Sequence, residues 1–435
     1  MLRSESCTPL RLVTMACCLG WMGLAAAGPV RAGPPAPAPA PTGTLKLEDA
    51  VAWGLQNNPE IAALRQQHGI AAAAVVIANT YPYNPTWTNK LFAVSGPEEA
   101  GITNRLALEE RVDLQVELHH QRQYRRQAAC AALTRTDWEI AFQEENLALR
   151  VIRGFNAVLY YDAKLQLVEA TVRLNGSTVE KVRRLQGGTA KATDLILAQS
   201  EVDSSRALLG PARGLRLRAA ADLRRALGVT DETYQVEGRL GNPVPPPGEA
   251  TALVATALER RPDLHARQAA VTEADARVRL ARADRLGNPT LGPDFEQNET
   301  SVSFIGAQIA LPLPVFNRHR GDILQREAEH TRASLDLRTN EILVQQEISA
   351  ALDRLQNART SVERYRNETL PNLEKTLKQM EDLFTLSGGT VLNVIDVQRR
   401  LLRARDSYLD ALYELSQAQA DLAYAVGDPG LAITP

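Results

Sequence analysis

The residues able to do chemistry in this chain are few and scattered. Six histidines are spread over the length: His68, His119, His120, His265, His319 and His330. Only His119 and His120 are close, and adjacent side chains on a helix or strand diverge. A tetrahedral metal site needs three or four converging ligands, so none is expected. Of four cysteines, Cys7, Cys17 and Cys18 lie in the first 18 residues, which leaves Cys130 alone. No intrachain disulfide is then available, and Cys130 reads as a small buried hydrophobe. GxSxG, HExxH and CxxC are all absent. Gly187-Gly188-Thr189-Ala190-Lys191 lacks the spacing of a phosphate loop. No catalysis and no cofactor are expected. Two glycine pairs remain, Gly187-Gly188 before Thr189 and Gly388-Gly389 before Thr390. Each follows a long helical stretch, as left-handed C-cap glycines do. They read as the turns of two helical hairpins.

The elements that must carry these turns show in composition and repetition. The 435 residues have a formal charge of −2 and only 5% aromatics. There is no basic excess for nucleic acid, and the composition suits long helices. Arg3 and Arg11 precede an apolar stretch from Leu12 to Ala27, with the small residues Ala25-Ala26-Ala27 at its end or Val30-Arg31-Ala32 after it. Residues 1–32 read as a signal peptide. After residue 32 no run of 18 apolar residues occurs, so a membrane-crossing region must be built from strands.

The rest reads as two tandem copies. Pro59 matches Pro262, and Asn84-Pro85-Thr86 matches Asn288-Pro289-Thr290. Further on, Gln199 matches Gln398, Leu223 matches Leu422 and Gly228 matches Gly427. The domain reading is a Pro-rich linker at 33–43, a first repeat at 44–241, a second linker at 242–248, a second repeat at 249–427 and a tail at 428–435. Within a copy the order is helix, two strands, very long helix, turn, long helix. Strands are expected near 86–118 and 290–312, and long helices at 119–228 and 319–427. Leu106, Leu108, Val112, Leu114, Val116 and Leu118 share one parity and charged residues the other, broken only by Ala107 and Glu110. This is a strand with one apolar and one charged face. Trp87, Phe92, Phe295 and Phe304 are candidates for interfacial aromatic girdles, or ordinary strand packing. Heptad spacing of Leu195, Val202, Leu209 and Leu223, and of Val394, Leu401, Tyr408 and Leu422, indicates coiled-coil packing.

Four strands cannot close a barrel, and an open edge cannot sit in lipid. Membrane strands therefore demand a ring of chains, and three chains give twelve strands. The fold class expected is mainly α with β: a long-helix tunnel plus four strands per chain in a shared barrel.

The stretches AVxxxLxxNPEIAALR from Ala50, ALERRPDLHARQ from Ala257 and GGTVLNVIDVQRRLLRARDSYL from Gly388 resemble the outer-membrane efflux protein (TolC) family. The resemblance runs from about Leu45 to Gly427. IALPLPVFNRHRGDI from Ile309 is similar to the cation-efflux, CzcC-like branch. The resemblance implies a homotrimer in the outer membrane of a diderm bacterium, extending into the periplasm. It implies a periplasmic adaptor and an inner-membrane proton-driven RND pump as partners. The paired-glycine turns would touch the adaptor. In the family an acidic pair rings the closed tunnel end. The matching stretch here keeps Asp396 and has Asn393 for the other acid, while Asp194 aligns with Asn393 in the first copy. Asp396, Asn393 and Asp194 are thus the aperture candidates. Carboxylates converging on an axis would favour cations, whereas a solvated helix carboxylate is the plain alternative. Two other readings remain, a type I secretion channel and a soluble periplasmic coiled-coil scaffold.

Overall fold

The computed structural model describes residues 41–96, 99, 102, 106–185, 192–231, 234–241, 248–387, 391–428 and 430. The expected signal peptide, most of both Pro-rich linkers and all six turn residues (Gly187, Gly188, Thr189, Gly388, Gly389, Thr390) lie outside the described residues.

Each half opens with two helices joined at a proline. The first pair is α1 (Leu47–Asn57) and α2 (Pro59–Asn79). Its counterparts are α6 (Ala250–Arg260) and α7 (Pro262–Asp284). The proline forces its predecessor out of the helical region. Asn58 accordingly has φ −68° and ψ 122°, and Arg261 has φ −64° and ψ 123°. Each of these residues also reaches the last turn of a distant helix. Asn58 Nδ2 donates to Ala226 O at 2.8 Å, and Arg261 donates to Ala425 O at 3.3 Å. Just beyond stand Gly228 and Gly427, with φ +75° and +74°. A Cβ on Gly228 would lie 2.7 Å from Pro59 Cδ, so only glycine fits that turn. The matching prolines and glycines of the sequence are the two sides of one joint, made twice.

The first strand of each half starts immediately after its Asn-Pro step. The strands are β2 (Thr86–Ala93), β3 (Leu106–Gln115), β5 (Thr290–Gln297) and β6 (Ser303–Ala310). They form one antiparallel sheet in the order β2-β3-β5-β6, with β2 and β6 as open edges. Register sets the faces, because directly paired residues project to the same side. Trp87 opposes Val112, Leu91 opposes Leu108, Leu114 opposes Leu291, and Leu291 opposes Ile309. One face is thus apolar across all four strands, and Glu110, hydrogen-bonded by Asn89 at 3.1 Å, is its charged exception. The opposite face carries Lys90, Glu109, Arg111, Asp294 and Glu296. The register also divides the girdle candidates. Trp87 and Phe295 lie on the apolar face, but Phe92 (opposite Ala107) and Phe304 (opposite Glu296) lie on the charged one. Those two do not share the face of Trp87 and Leu91.

Helix α3 (Gln121–Leu185) runs 65 residues, about 100 Å at ~1.5 Å per residue. The return strand of that hairpin was expected as one helix and is two, α4 (Ala192–Ala207) and α5 (Leu209–Leu227). The break at Leu208 has a cause in Pro211, which lacks an N–H and crowds the carbonyl four residues back. In the second half, α8 (Arg320–Arg364) and α9 (Leu370–Ser387) are joined by a π turn at Tyr365–Thr369. There the Leu370 N–H bonds Tyr365 O, five residues back. The extra residue accommodates Pro371 without ending the helix. α10 (Val391–Val426) returns along the molecule.

One sheet was not anticipated. β1 (Gly43–Leu45) pairs in parallel with β4 (Tyr234–Val236). Three residues are too few for a periodic signal. The pair covers a core of Val51, Leu147, Val151, Phe155 and Leu223 under the first joint. A second core, with Leu264, Val344, Ile348, Leu355 and Leu415, lies under the other.

One described helix, α2, is long and apolar enough to cross a membrane by length and composition. This qualifies the expectation that strands alone meet that test. α2 is held along α3 by Arg65–Glu144, Arg150–Glu60 and His68–Asp137 pairs. Ile70, Val76 and Ile77 on it remain exposed.

Candidate functional site

Four helix ends meet where the expected aperture residues stand. The C-terminal ends of α3 and α9 and the N-terminal parts of α4 and α10 pack Val182, Val202, Phe384, Val391, Val394 and Ile395 together. This packing decides which side chains face outward. Val391, Val394, Ile395 and Gln398 point in, so Asn393, Asp396, Arg399 and Arg400 are exposed. Asp194 is half-buried on the first turn of α4, where a carboxylate meets the positive end of the helix. The three aperture candidates therefore surround one four-helix cluster, Asn393 and Asp396 on the same exposed side of α10 and Asp194 on α4.

Asp396 is accompanied by positive charge. Its Oδ2 lies 2.9 Å from the Arg400 guanidinium, one turn on. Arg399 holds Glu201 of α4 with two nitrogens, one at 3.0 Å. Those hydrogen bonds raise the Arg399 pKa, and the nearby Asp396 charge adds to the effect. The family resemblance points to Asp396, Asn393 and Asp194 but not to Arg400. The partner was legible, since Asp396 and Arg400 have the i,i+4 spacing of a helical ion pair.

Above this cluster, charged side chains tie α10 to its neighbours. Lys164 of α3 binds Asp406 at 2.5 Å and Asp410 at 2.7 Å. Burial would lower the Lys164 pKa, but the two carboxylates outweigh it and raise it. Tyr160 donates to Asp410 and stacks on Tyr413 with ring centroids 4.4 Å apart. Burial, and then that hydrogen bond, push the Tyr160 pKa up to about 12. Further on, Asp421 receives both Arg153 of α3 and Arg354 of α8. Between α3, α4 and α10 lies an open groove of about 680 Å³, lined among others by Lys164, Glu201, Arg399, Arg403 and Asp406. These lining groups are largely paired with one another, which suits a wall rather than a tight binding site.

The sheet is the second candidate wall. On its charged face Lys90 meets Glu109 at 3.1 Å, Arg111 meets Glu109 at 3.3 Å, and Arg111 approaches Asp294 at 3.7 Å. Charges of alternating sign thus cross from β2 to β5. The histidines do not converge. His68 faces Asp137, His265 stacks on Trp138 at 4.4 Å, and His319 faces Asp322. Among the described residues no group of three His, Cys, Asp or Glu side chains could hold a metal ion.

Comparison with known proteins matches residues 253–428 to the family model described as outer membrane efflux protein. The cobalt-zinc-cadmium resistance protein CzcC of Cupriavidus metallidurans is 23% identical over 88% of this chain and 90% of its own length. The pyoverdine export outer membrane protein OpmQ of Pseudomonas putida is 31% identical over 41% of this chain and 39% of its own. Among solved structures, CusC superposes with a TM-score of 0.73 at 17% identity, covering 88% of this chain and 92% of that one. The outer-membrane channel OprN gives 0.74 at 14% identity, with 88% and 89% covered.

Proposed function

We propose that this chain is the channel component of a tripartite efflux system and conducts substrate passively out of the cell, a reading supported by the match of residues 253–428 to the outer membrane efflux protein family. It is a channel protein and not an enzyme. The observation that carries the reading is the four-stranded sheet. It has one apolar face, one charged face and two open edges, and it sits above helices far longer than a bilayer is thick. Lipid outside and water inside require those two faces, and the open edges require neighbours.

In this reading three copies close a twelve-strand barrel in the outer membrane, with the helices forming a periplasmic tunnel. The two halves are copies of one unit, each contributing a hairpin of strands. The boundaries are those of the sequence: linker 33–43, repeats 44–241 and 249–427, linker 242–248, and a signal peptide at 1–32. The turns at Gly187-Gly188-Thr189 and Gly388-Gly389-Thr390 meet a periplasmic adaptor, which links the tunnel to an inner-membrane RND pump. Asp396, Asn393 and Asp194 line the narrow end, together with Arg400. The exposed Ile70, Val76 and Ile77 of α2 are covered by a neighbouring copy.

Heavy-metal cations are the favoured cargo, supported by the likeness to CzcC over most of both chains. The shorter but higher-identity match to OpmQ supports a second reading, a small organic cargo. Planar-bilayer recordings of the purified oligomer test the channel. An assembly of three copies that forms no pore would sink it. A deletion strain distinguishes the cargoes: lost tolerance to cobalt, zinc and cadmium supports the first, and unchanged tolerance overturns it.

A further inference from the structure

At one end of the four-stranded sheet every strand passes into a junction with a helix. The junctions are 80–85, 116–120, 285–289 and 311–319. The first three are hydrogen-bonded together, and Pro312 of the fourth lies beside Gly287, so the four form one collar. Val116 N donates to Pro289 O at 2.8 Å, Gln121 Nε2 to Asn288 Oδ1 at 2.6 Å, and Asn288 Nδ2 to Tyr83 Oη at 3.2 Å. Tyr81 Oη donates to Gln115 O and accepts from Glu117 N.

The collar is rich in one residue type. Residues 116–126, 282–290 and 311–322 together hold seven arginines, no lysine and three acids. Arg125 and Arg282 are held by Glu117 and Glu327. Arg122, Arg126, Arg285, Arg318 and Arg320 are exposed, and none has an ion pair among the described residues. Beside them the stretch 311–316, LPLPVF, exposes Leu311, Leu313 and Val315, and Phe316 is fully exposed. Two prolines hold this stretch extended. It continues from the apolar sheet face, where Ile305 and Ile309 are also exposed.

We infer that this collar binds the anionic headgroups of phospholipids in the membrane leaflet at that end of the sheet. The inference rests on the membrane reading above. The apolar side chains enter the acyl boundary, as interfacial residues do, and the arginines meet phosphate just outside it. Arginine suits that task better than lysine, because its planar fork takes two phosphate oxygens at once. Each basic side chain near an anionic surface adds to the attraction, and salt screens it. The enrichment is confined to one end. At the other, residues 298–302 hold one acid and no base, and residues 94–105 hold two acids and one arginine. A solubility requirement would not discriminate between ends. A second copy is a poor occupant, since it brings the same positive charge to the same level.

The test uses the assembled full-length protein in nanodiscs of phosphatidylcholine, with and without phosphatidylglycerol. The expected result is a higher melting temperature with phosphatidylglycerol, a gain that shrinks at high salt. A variant carrying R122Q, R126Q, R285Q, R318Q and R320Q should lose the gain, and the corresponding five-lysine variant should keep part of it. The pair R318Q and R320Q, which leaves every helix interior intact, should lose part of it even if the larger variant fails to assemble. Equal melting of the wild type in both lipid mixtures overturns the inference. So does an equal gain from inorganic phosphate added to phosphatidylcholine discs, or a glutamine variant that keeps the full gain. A chain that enters neither mixture overturns the membrane reading itself.

Discussion

Asn58 and Arg261 occupy matching joints but secure them by different means. Asn58 uses neutral hydrogen bonds, one to Ala226 O and one from Glu60 N, both 2.8 Å. Arg261 is buried and binds Asp263 at 2.9 Å and Glu347 at 2.6 Å besides Ala425 O. Removing one partner of a buried ion pair strands the other charge, at roughly 3–5 kcal/mol. Losing a neutral buried partner costs about 1–3 kcal/mol. Arg261→Ala should therefore lower the urea midpoint more than Asn58→Ala, and an equal loss would contradict the assignment. Close by, burial first, and then the Asp263 charge, push the Glu145 pKa up to about 7. A carboxyl raised in the folded state binds its proton more tightly there than in the unfolded chain. Folding stability then falls as pH rises from about 4.5 to about 7. Glu145→Gln should melt higher than wild type at pH 8 and alike near pH 4. A constant difference across that range would refute the coupling. At the proposed narrow end, Asp396→Asn should lower cation selectivity in bilayer recordings and Arg400→Gln should raise it. Reversal potentials indifferent to both changes would remove the pair from the aperture.

Among the elements, β5 shows why some strands were faint in the sequence. Gly292-Pro293 sits in its middle, and both residues are usually kept out of a central strand. Here the backbone itself needs the glycine. A Cβ at Gly292 would fall within 2.0 Å of the Val112 carbonyl oxygen of β3. Gly292→Ala should open the β3–β5 seam, read as a lower melting temperature and a smaller native mass in detergent. A stable oligomer would show that the seam can shift. The neighbouring β3 was plain, because its parity pattern runs ten residues with Ala107 and Glu110 as its exceptions. Long helices and both prolines of the joints were equally legible, since Pro and Gly act through the local backbone. The π turn, the Leu208 break and the β1–β4 pair were not. Each depends on how a neighbour accommodates a proline, or on three residues finding a distant partner. The candidate aperture was half legible. Its acids came from a resemblance, while Arg399 and Glu201 come together only when α10 lies beside α4.

At the scale of the molecule, exposed surface points to what is missing from a single chain. β2 and β6 are unpaired edges, and Leu91, Ile305 and Ile309 stand open on the apolar face. Such a chain alone in water is an aggregation hazard. The full-length protein extracted in detergent should have a native mass three times that of the chain, and a stable monomer would contradict the closed barrel. The two joints add a mechanical consequence. In a ring of three chains, six helical staves alternate between one fastened by an amide and one fastened by an ionic clamp. Those joints differ, and salt or acid weakens the ionic one more than the amide one. The bore of such a tube deforms toward a triangle before it widens as a circle.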